Sequence, residues 1–277
     1  MSDGCGCDGS GAARLLERVT VLANERVATG VGLLTLRAPR IAERVAPGQF
    51  VHLRIERAAD FILRRPFSVH AITRDGGIRL LYQILGRGTL ALAEKRAGDE
   101  MDAIGPLGTG FRIPEGAAHA LVVAGGLGVA PLALLVEVLA ERGVAVTAAV
   151  GAPSAGRLLA LETLERDARR LLVATDDGSR GERGFVTSLV EGVLTSDRPD
   201  VAYVCGPEVM ARMVAAQCAA AGVPCQVSLE RLMACGVGAC LSCVVTTAAG
   251  LARACCDGPV FHAEEVLWDA AEVPPRH

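Results

Sequence analysis

Ala120-Leu-Val-Val-Ala-Gly125-Gly126-Leu-Gly128-Val-Ala-Pro131 is the stretch on which the fold turns. Five apolar residues, a glycine-rich turn and a proline read as a buried strand at 120–124, a tight bend and a helix start. Pro131 stands in the first helical turn, where its missing N–H costs nothing. The pattern departs from G-x-G-x-x-G because Pro131 occupies the place of the third glycine. The bend still offers free N–H groups at a helix N-terminus, a setting that favours a pyrophosphate. Gly125, Gly126 and Gly128 are therefore candidates for contact with a nicotinamide nucleotide. The competing reading is a purely structural glycine turn.

The apolar window is wider than the strand. Residues 116–136 contain no formally charged side chain, and that length reaches the spanning range. The glycines and Pro131 split the window in its middle, so a strand, turn and helix are expected and a membrane span is not. Downstream, helices are expected at 131–142, 158–170, 185–194 and 207–221, with strands at 144–150, 171–175 and 201–205. Such alternation predicts an α/β unit with a parallel sheet covered on both faces. Cys205-Gly206-Pro207 follows the strand 201–205, at the carboxyl edge where ligands sit in such sheets. Cys205 is the candidate catalytic residue. Its plainer role would be that of a small buried apolar side chain.

Upstream the texture differs. Short apolar runs at 18–23, 32–36, 50–55, 68–72 and 78–84 are broken by Ala46-Pro47-Gly48 and Arg74-Asp75-Gly76-Gly77. With no long helix between them they predict an antiparallel β-barrel over 14–113. Two segments in it carry chemistry. In Leu63-Arg64-Arg65-Pro66-Phe67-Ser68-Val69, a basic residue three places before a hydroxyl can hold a pyrophosphate while the strand edge lies along an isoalloxazine ring. In Gly86-Arg87-Gly88-Thr89, glycines open the backbone to phosphate and Thr89 caps the following helix. Alone, each is weak: Arg64 and Arg65 can be solvated charges, and 86–89 an ordinary turn. In one barrel and in this order they form a flavin constellation.

From Val223 the chain leads through a short strand into a cysteine cluster. Six of the ten cysteines lie between Cys225 and Cys256, and the first two hundred residues hold only Cys5 and Cys7. Cys235-Gly-Val-Gly-Ala-Cys240-Leu-Ser-Cys243 is C-x4-C-x2-C, the plant-type [2Fe–2S] spacing, in which a fourth cysteine arrives from further on. Gly236 and Gly238 let the loop curl and aim N–H groups at the sulfurs. Cys255 and Cys256 are both candidates for the fourth ligand. A hairpin, 244–247 and 251–253 about a turn at 248–250, would bring either one back to the loop. In an extended arm their side chains would point to opposite faces. The alternatives to iron are structural zinc, which prefers paired C-x2–4-C ligands, and plain core cysteines.

Composition narrows the classes further. The formal charge of −3 and the lack of a Lys/Arg run give no footprint for nucleic acid or an anionic membrane surface. Residues 1–13 are polar and Gly-rich, read as a disordered tail with no secretory apolar run. Ten cysteines without such a signal favour metal or redox chemistry over disulfides, and a cytoplasmic location. The expected division is 1–13 tail, 14–113 barrel, 114–222 nucleotide domain and 223–277 cluster segment.

Taken in order, R-P-F-S, G-x-G-T, G-G-x-G-x-A-P and C-G-P resemble the ferredoxin–NADP reductase superfamily. Within it, Met233-Ala-Cys235 through Cys243 and Cys255-Cys256-Asp257-Gly258-Pro259-Val260-Phe261 resemble the electron transfer subunits of NAD-dependent dihydroorotate dehydrogenase, over about 14–261. The resemblance implies FAD, a [2Fe–2S] cluster and NAD as cofactors. It implies Cys255 as the fourth ligand beside Cys235, Cys240 and Cys243, and Arg65, Pro66, Phe67, Ser68, Gly86, Gly88 and Thr89 at the FAD. It places Gly125, Gly126, Gly128 and Cys205 at the nucleotide. It also implies a partner, an FMN-containing dihydroorotate dehydrogenase catalytic subunit, in a heterotetramer. Nicotinamide moves two electrons as a hydride and the cluster moves one, so the flavin stands between them. Two rival readings remain: a subunit of an NADPH–ferredoxin transhydrogenase or sulfide dehydrogenase, and a zinc-stapled nucleotide-binding regulator. NADP stays possible, because Ser154 and Arg157 follow the strand 144–150 with no acid.

Overall fold

The structure is a computed structural model and describes residues 14–56 and 62–269. The expected tail 1–13, with Cys5 and Cys7, lies outside the described residues. The first half forms β1 (Leu15–Ala28), β2 (Val31–Arg37), α1 (Pro39–Ala42), β3 (Phe50–Arg54), β4 (Arg65–Ser68), β5 (Ala71–Ile72), β6 (Gly77–Gln83), α2 (Arg87–Ala93) and β7 (Glu100–Leu107). The strands pair antiparallel in the order β4-β3-β7-β1-β2-β6-β5. The outermost strands, β4 and β5, are neighbours in the chain, so the sheet must curl. Val69 N–H donates to Gln49 O at 3.1 Å on the β3 side, and His70 N–H to Arg79 O at 2.8 Å on the β6 side. These two bonds stitch the edges into a barrel. Alternate residues fill it: Val19 and Val21, Leu34 and Leu36, Val51 and Leu53, Ile78 and Leu80. The single strand expected at 68–72 is two strands, because the chain changes edge there. β7 was not singled out in the sequence: its charged Glu100 and Asp102 and its Pro106 interrupt the apolar pattern.

The second half forms β8 (His119–Gly125), α3 (Val129–Glu141), β9 (Ala145–Ala152), α4 (Leu161–Asp167), β10 (Arg170–Thr175), β11 (Glu182–Arg183), α5 (Val186–Ser196), β12 (Val201–Cys205), α6 (Glu208–Ala220) and β13 (Cys225–Ser228). These strands are parallel, in the order β11-β10-β9-β8-β12-β13. Leu121 and Val123 pack with α5 and α6 on one face. Ala120, Val122 and Ala124 pack with α3 and α4 on the other. A strand buried on both faces shows no alternation, which is why its sequence is uniformly apolar. α4 is shorter than the expected 158–170, since Ala160 takes a left-handed conformation (φ 55°) immediately before it.

β14 (Val244–Thr247) and β15 (Gly250–Arg253) form the expected hairpin. β16 (Val260–His262) then pairs antiparallel with β13 and completes the parallel sheet at its edge. The chain after residue 222 thus begins and ends its excursion in the nucleotide sheet, with the cysteine loop and hairpin between. Joints hold the parts together. His70 Nδ1 meets Ala130 O at 3.2 Å, and Thr109 N–H donates to Gly258 O at 2.6 Å. The Gln226 side chain bonds both Arg112 N–H and Arg112 O. Among the described residues no helix is long and apolar enough to cross a membrane.

Candidate functional site

Between the barrel and the carboxyl ends of β12 and β13 lies a cleft of about 300 Å³. Arg65, Pro66, Phe67, Ser68, Thr89 and Cys205 line it together, although 140 positions separate Arg65 from Cys205. The two adjacent arginines part company. Arg64 forms a mostly buried ion pair with Asp102 of β7, reinforced by Arg64 Nη1 donating to Asp102 O at 3.1 Å. Arg65 curls over the 86–89 turn, where a Cβ on Gly88 would lie 3.0 Å from its Nε. Gly88 thus makes room for the guanidinium, and the space beside Gly86 is open. Phe67 is buried and packs edge-on against Tyr82, with centroids 6.1 Å apart. Thr89 closes the start of α2 from the third helical position, accepting from Leu85 N–H (2.9 Å) and Gly86 N–H (3.2 Å), and Gly86 is the cap itself. That corrects the expectation that Thr89 is the capping residue: its side chain reaches back as the inner half of a capping box.

A second cleft, of about 310 Å³, opens where the strand order reverses between β8 and β12. Gly125, Gly126 and Gly128 line it, opposite Gly206 and Pro207. The two turns clasp each other. A Cβ on Gly128 would sit 2.2 Å from Cys205 O, and one on Gly125 2.6 Å from Met210 Sδ. Gly126 takes φ +54° with open space before it. Helix α3 starts at Val129, two residues before the expected Pro131, which is its third residue. Cys205 is buried, and its thiol is pushed up to about 12 by burial, with the Glu230 charge adding to the shift. It therefore stays protonated at neutral pH. Glu230 faces both clefts, and desolvation by the surrounding protein raises its own carboxyl above the usual range. Glu230, Leu229, Arg231 and Tyr82 were missed in the sequence, because no spacing or motif marks them. Beside the end of β9, Ala155 N–H donates to Ser179 Oγ (2.7 Å), whose hydroxyl donates to Asp177 Oδ1 (2.5 Å). The turn after β10 thus places an acid beside the end of β9.

In the cysteine loop, Gly236 (φ +69°) and Gly238 (φ +87°) curl the backbone so that Val237 N–H and Ala239 N–H point at Cys235 Sγ, at 3.4 and 3.3 Å. Cys240 is exposed, and its thiol is lowered to about 6 by hydrogen bonds from Ser242 first and then from the Cys235 region. Cys243 and Cys255 are buried side by side. Burial first, and then Cys243, pushes the Cys255 thiol up. Among the described residues no three possible ligands converge at metal-binding distance. Cys235 and Cys240 are neighbours, and so are Cys243 and Cys255. Sulfur donors with N–H groups already aimed at one of them fit an iron–sulfur cluster. Cys255 and Cys256 do not lie on an extended arm. They occupy a turn in which Cys256, Asp257 and Gly258 N–H all reach Arg253 O, so their sulfurs are 3.8 Å apart instead of on opposite faces. Cys256 turns toward Gly238 and receives Arg14 Nη2 at 3.4 Å.

Comparison with known proteins agrees with this geometry. Residues 230–267 match the family "Iron-sulfur cluster binding domain of dihydroorotate dehydrogenase B". Residues 122–216 match "Oxidoreductase NAD-binding domain". The dihydroorotate dehydrogenase B (NAD(+)) electron transfer subunit of Desulforamulus reducens is 40% identical over 90% of this chain and 97% of its own length. That of Bacillus caldolyticus is 40% identical over 91% and 98%. A solved NADH-dependent reduced ferredoxin-NADP oxidoreductase, studied for flavin-based electron bifurcation, superposes with TM-score 0.83 at 32% identity, covering 90% of both chains. A ferredoxin NADP+ reductase from Neisseria gonorrhoeae shares the fold, with TM-score 0.63 at 16% identity over 75% of this chain and 92% of that one.

Proposed function

The chain belongs to the family of electron transfer subunits of dihydroorotate dehydrogenase B (NAD(+)), and from that premise we propose that it carries electrons between a dihydroorotate-oxidising catalytic subunit and NAD, in pyrimidine biosynthesis in the cytoplasm. The observation that carries the reading is one cleft in which three parts of the chain meet. The flavin motif Arg65–Ser68, the nucleotide-side Cys205 and Met233, two residues before Cys235, all line it. FAD exchanges the hydride of a nicotinamide for single electrons, and a [2Fe–2S] cluster carries those one at a time. Arg65 holds the flavin pyrophosphate, while Pro66, Phe67 and Ser68 lie along the isoalloxazine edge. Gly86, Gly88 and Thr89 admit phosphate to the start of α2. Gly125, Gly126 and Gly128 let the NAD pyrophosphate approach the start of α3. Cys205, protonated, lies against the nicotinamide without competing as a nucleophile. Cys235, Cys240, Cys243 and Cys255 are the cluster ligands. Asp177, reached from the β9 end through Ser179, supports a free ribose hydroxyl over a 2′-phosphate.

Exposed Leu232, Leu241 and Leu251, on the loop and hairpin around exposed Cys240, support docking of the catalytic subunit at the cluster face. An FMN in that subunit and a heterotetramer belong to the same proposal. Relatives at 40% identity weigh against the transhydrogenase or sulfide dehydrogenase reading. Purification from the native host tests both at once. The expected result is a brown-yellow protein with one FAD and about two irons per chain, co-purifying with a dihydroorotate dehydrogenase catalytic subunit. A colourless zinc protein, or a different oxidoreductase partner, would overturn it.

A further inference from the structure

His52 joins two parts of the site. It lies in β3 directly opposite Pro66 of the flavin motif. Its side chain is fully buried and reaches the cysteine loop, where a Cβ built on Gly236 would lie 2.4 Å from His52 Nδ1. The imidazole thus fills the place any side chain at 236 would need, next to Cys235. Neither ring nitrogen has a hydrogen-bond partner, although the Cys235 and Arg64 main-chain acceptors lie beside the ring without forming a well-aligned bond. An orphaned buried donor is destabilising, and a leucine would fill the same space without that cost. Within the barrel only the Arg64 main chain lies beside the ring.

We propose that His52 is a positioning residue for the cluster loop: its ring N–H donates to the Cys235 carbonyl when the loop holds the cluster, tying the first ligand to the strand paired with the flavin motif. The inference rests on the iron–sulfur assignment above. His52 remains neutral throughout and transfers no proton. It acts as outer-shell partners do at metal sites, by fixing the main chain that presents the ligand.

The test uses the holoprotein carrying ¹⁵N only in histidine, reduced with dithionite and examined by pulsed electron paramagnetic resonance. A ¹⁵N coupling to the cluster is expected, and it should vanish in His52→Asn. Iron loss to a chelator is measured alongside. His52→Leu, which keeps bulk but no donor, should lose iron about tenfold faster or more with FAD content unchanged. His52→Asn, which can place an amide N–H near the Nδ1 position, should stay close to the natural rate. An iron-replete protein without the ¹⁵N coupling overturns this inference alone, and so does His52→Leu releasing iron at the natural rate. If His52→Leu does not fold, the coupling in the unsubstituted protein still decides. A protein that binds no iron overturns the cluster assignment and this inference together.

Discussion

Arg64 and Arg65 carry the same charge at adjacent positions of the chain, and the fold assigns them different work. Arg64 is bound to Asp102 inside the barrel wall, whereas Arg65 lies over Gly88 in the cleft. Arg65→Ala should weaken FAD binding roughly 10- to 150-fold, the worth of a charge-assisted bond of ~1.5–3 kcal/mol, and leave the cluster absorption in place. Flavin titration of the stripped protein checks it, and unchanged affinity would make Arg65 a surface charge. Arg64→Ala should instead lower the unfolding free energy in urea by ~1.5–3 kcal/mol, since it removes the charged donor paired with a mostly buried carboxylate. The adjacent cysteines divide similarly. Cys255 is buried against Cys243, while Cys256 faces Gly238 and Arg14. Cys255→Ser should lose the cluster and uncouple NADH oxidation from the partner while FAD reduction by NADH survives. Cys256→Ser should keep both cofactors. Iron content and paramagnetic resonance of the reduced variants decide between them, and the opposite pattern would move the ligand by one residue.

At the scale of elements, the clasp between the β8–α3 turn and the β12 end makes a sharp demand. Gly128→Ala would drive a methyl to 2.2 Å from Cys205 O. It should slow NADH-dependent flavin reduction at least tenfold, a displacement cost of about 1.4 kcal/mol, with FAD and iron retained. Stopped-flow flavin bleaching at an unaltered rate would argue that the turn is looser than it looks. The turn after β15 makes a pH-dependent one. Arg253 grips Asp257 through Nε (3.0 Å) and holds its carboxyl below the ordinary value. A depressed acid stabilises the fold above its ordinary titration range and loses that contribution as pH falls through the depressed value. Cluster release should accordingly accelerate in acid, and Asp257→Asn should show faster release already at neutral pH, leaving the acid dependence that protonation of the thiolate ligands brings. These elements differ in how plainly the sequence announces them. The β8 turn and the β14–β15 hairpin are local: contiguous apolar runs and glycines at fixed offsets define them. β7, the late start of α4 and the turn at Cys255 depend on what lies opposite. Asp102 needs Arg64, Ala160 is held left-handed, and three N–H groups converge on Arg253 O. Glu230 and His52 carry no motif at all, because only the closed barrel and the returning loop bring them to the site.

Across the whole molecule the chain runs barrel, sheet, cysteine loop, and back to the sheet edge through β16. That path explains how one polypeptide holds three electron-carrying sites in series. The last segment cannot leave: Thr109 of the barrel bonds Gly258, and β16 pairs with β13. The loop is therefore fixed at its base and free only at its rim, where Cys240, Leu241 and Leu251 face solvent. An apolar rim around a charged redox centre is expensive to leave in water unless another surface covers it. The double variant Leu241→Glu, Leu251→Glu places two charges on that rim and none near either cleft. If the rim is where the catalytic subunit docks, each position should behave as an interface anchor worth ~2 kcal/mol, or about 30-fold in affinity. The pair should then abolish co-purification at micromolar concentrations. NADH-driven reduction of the bound FAD, and of a small artificial dye, should continue at the natural rate, because neither leucine lines the flavin cleft or the nucleotide cleft. Loss of both activities together would mean that the charges had unfolded the hairpin. An intact complex would move the docking surface elsewhere, and the exposed leucines would then be left without a partner to explain them.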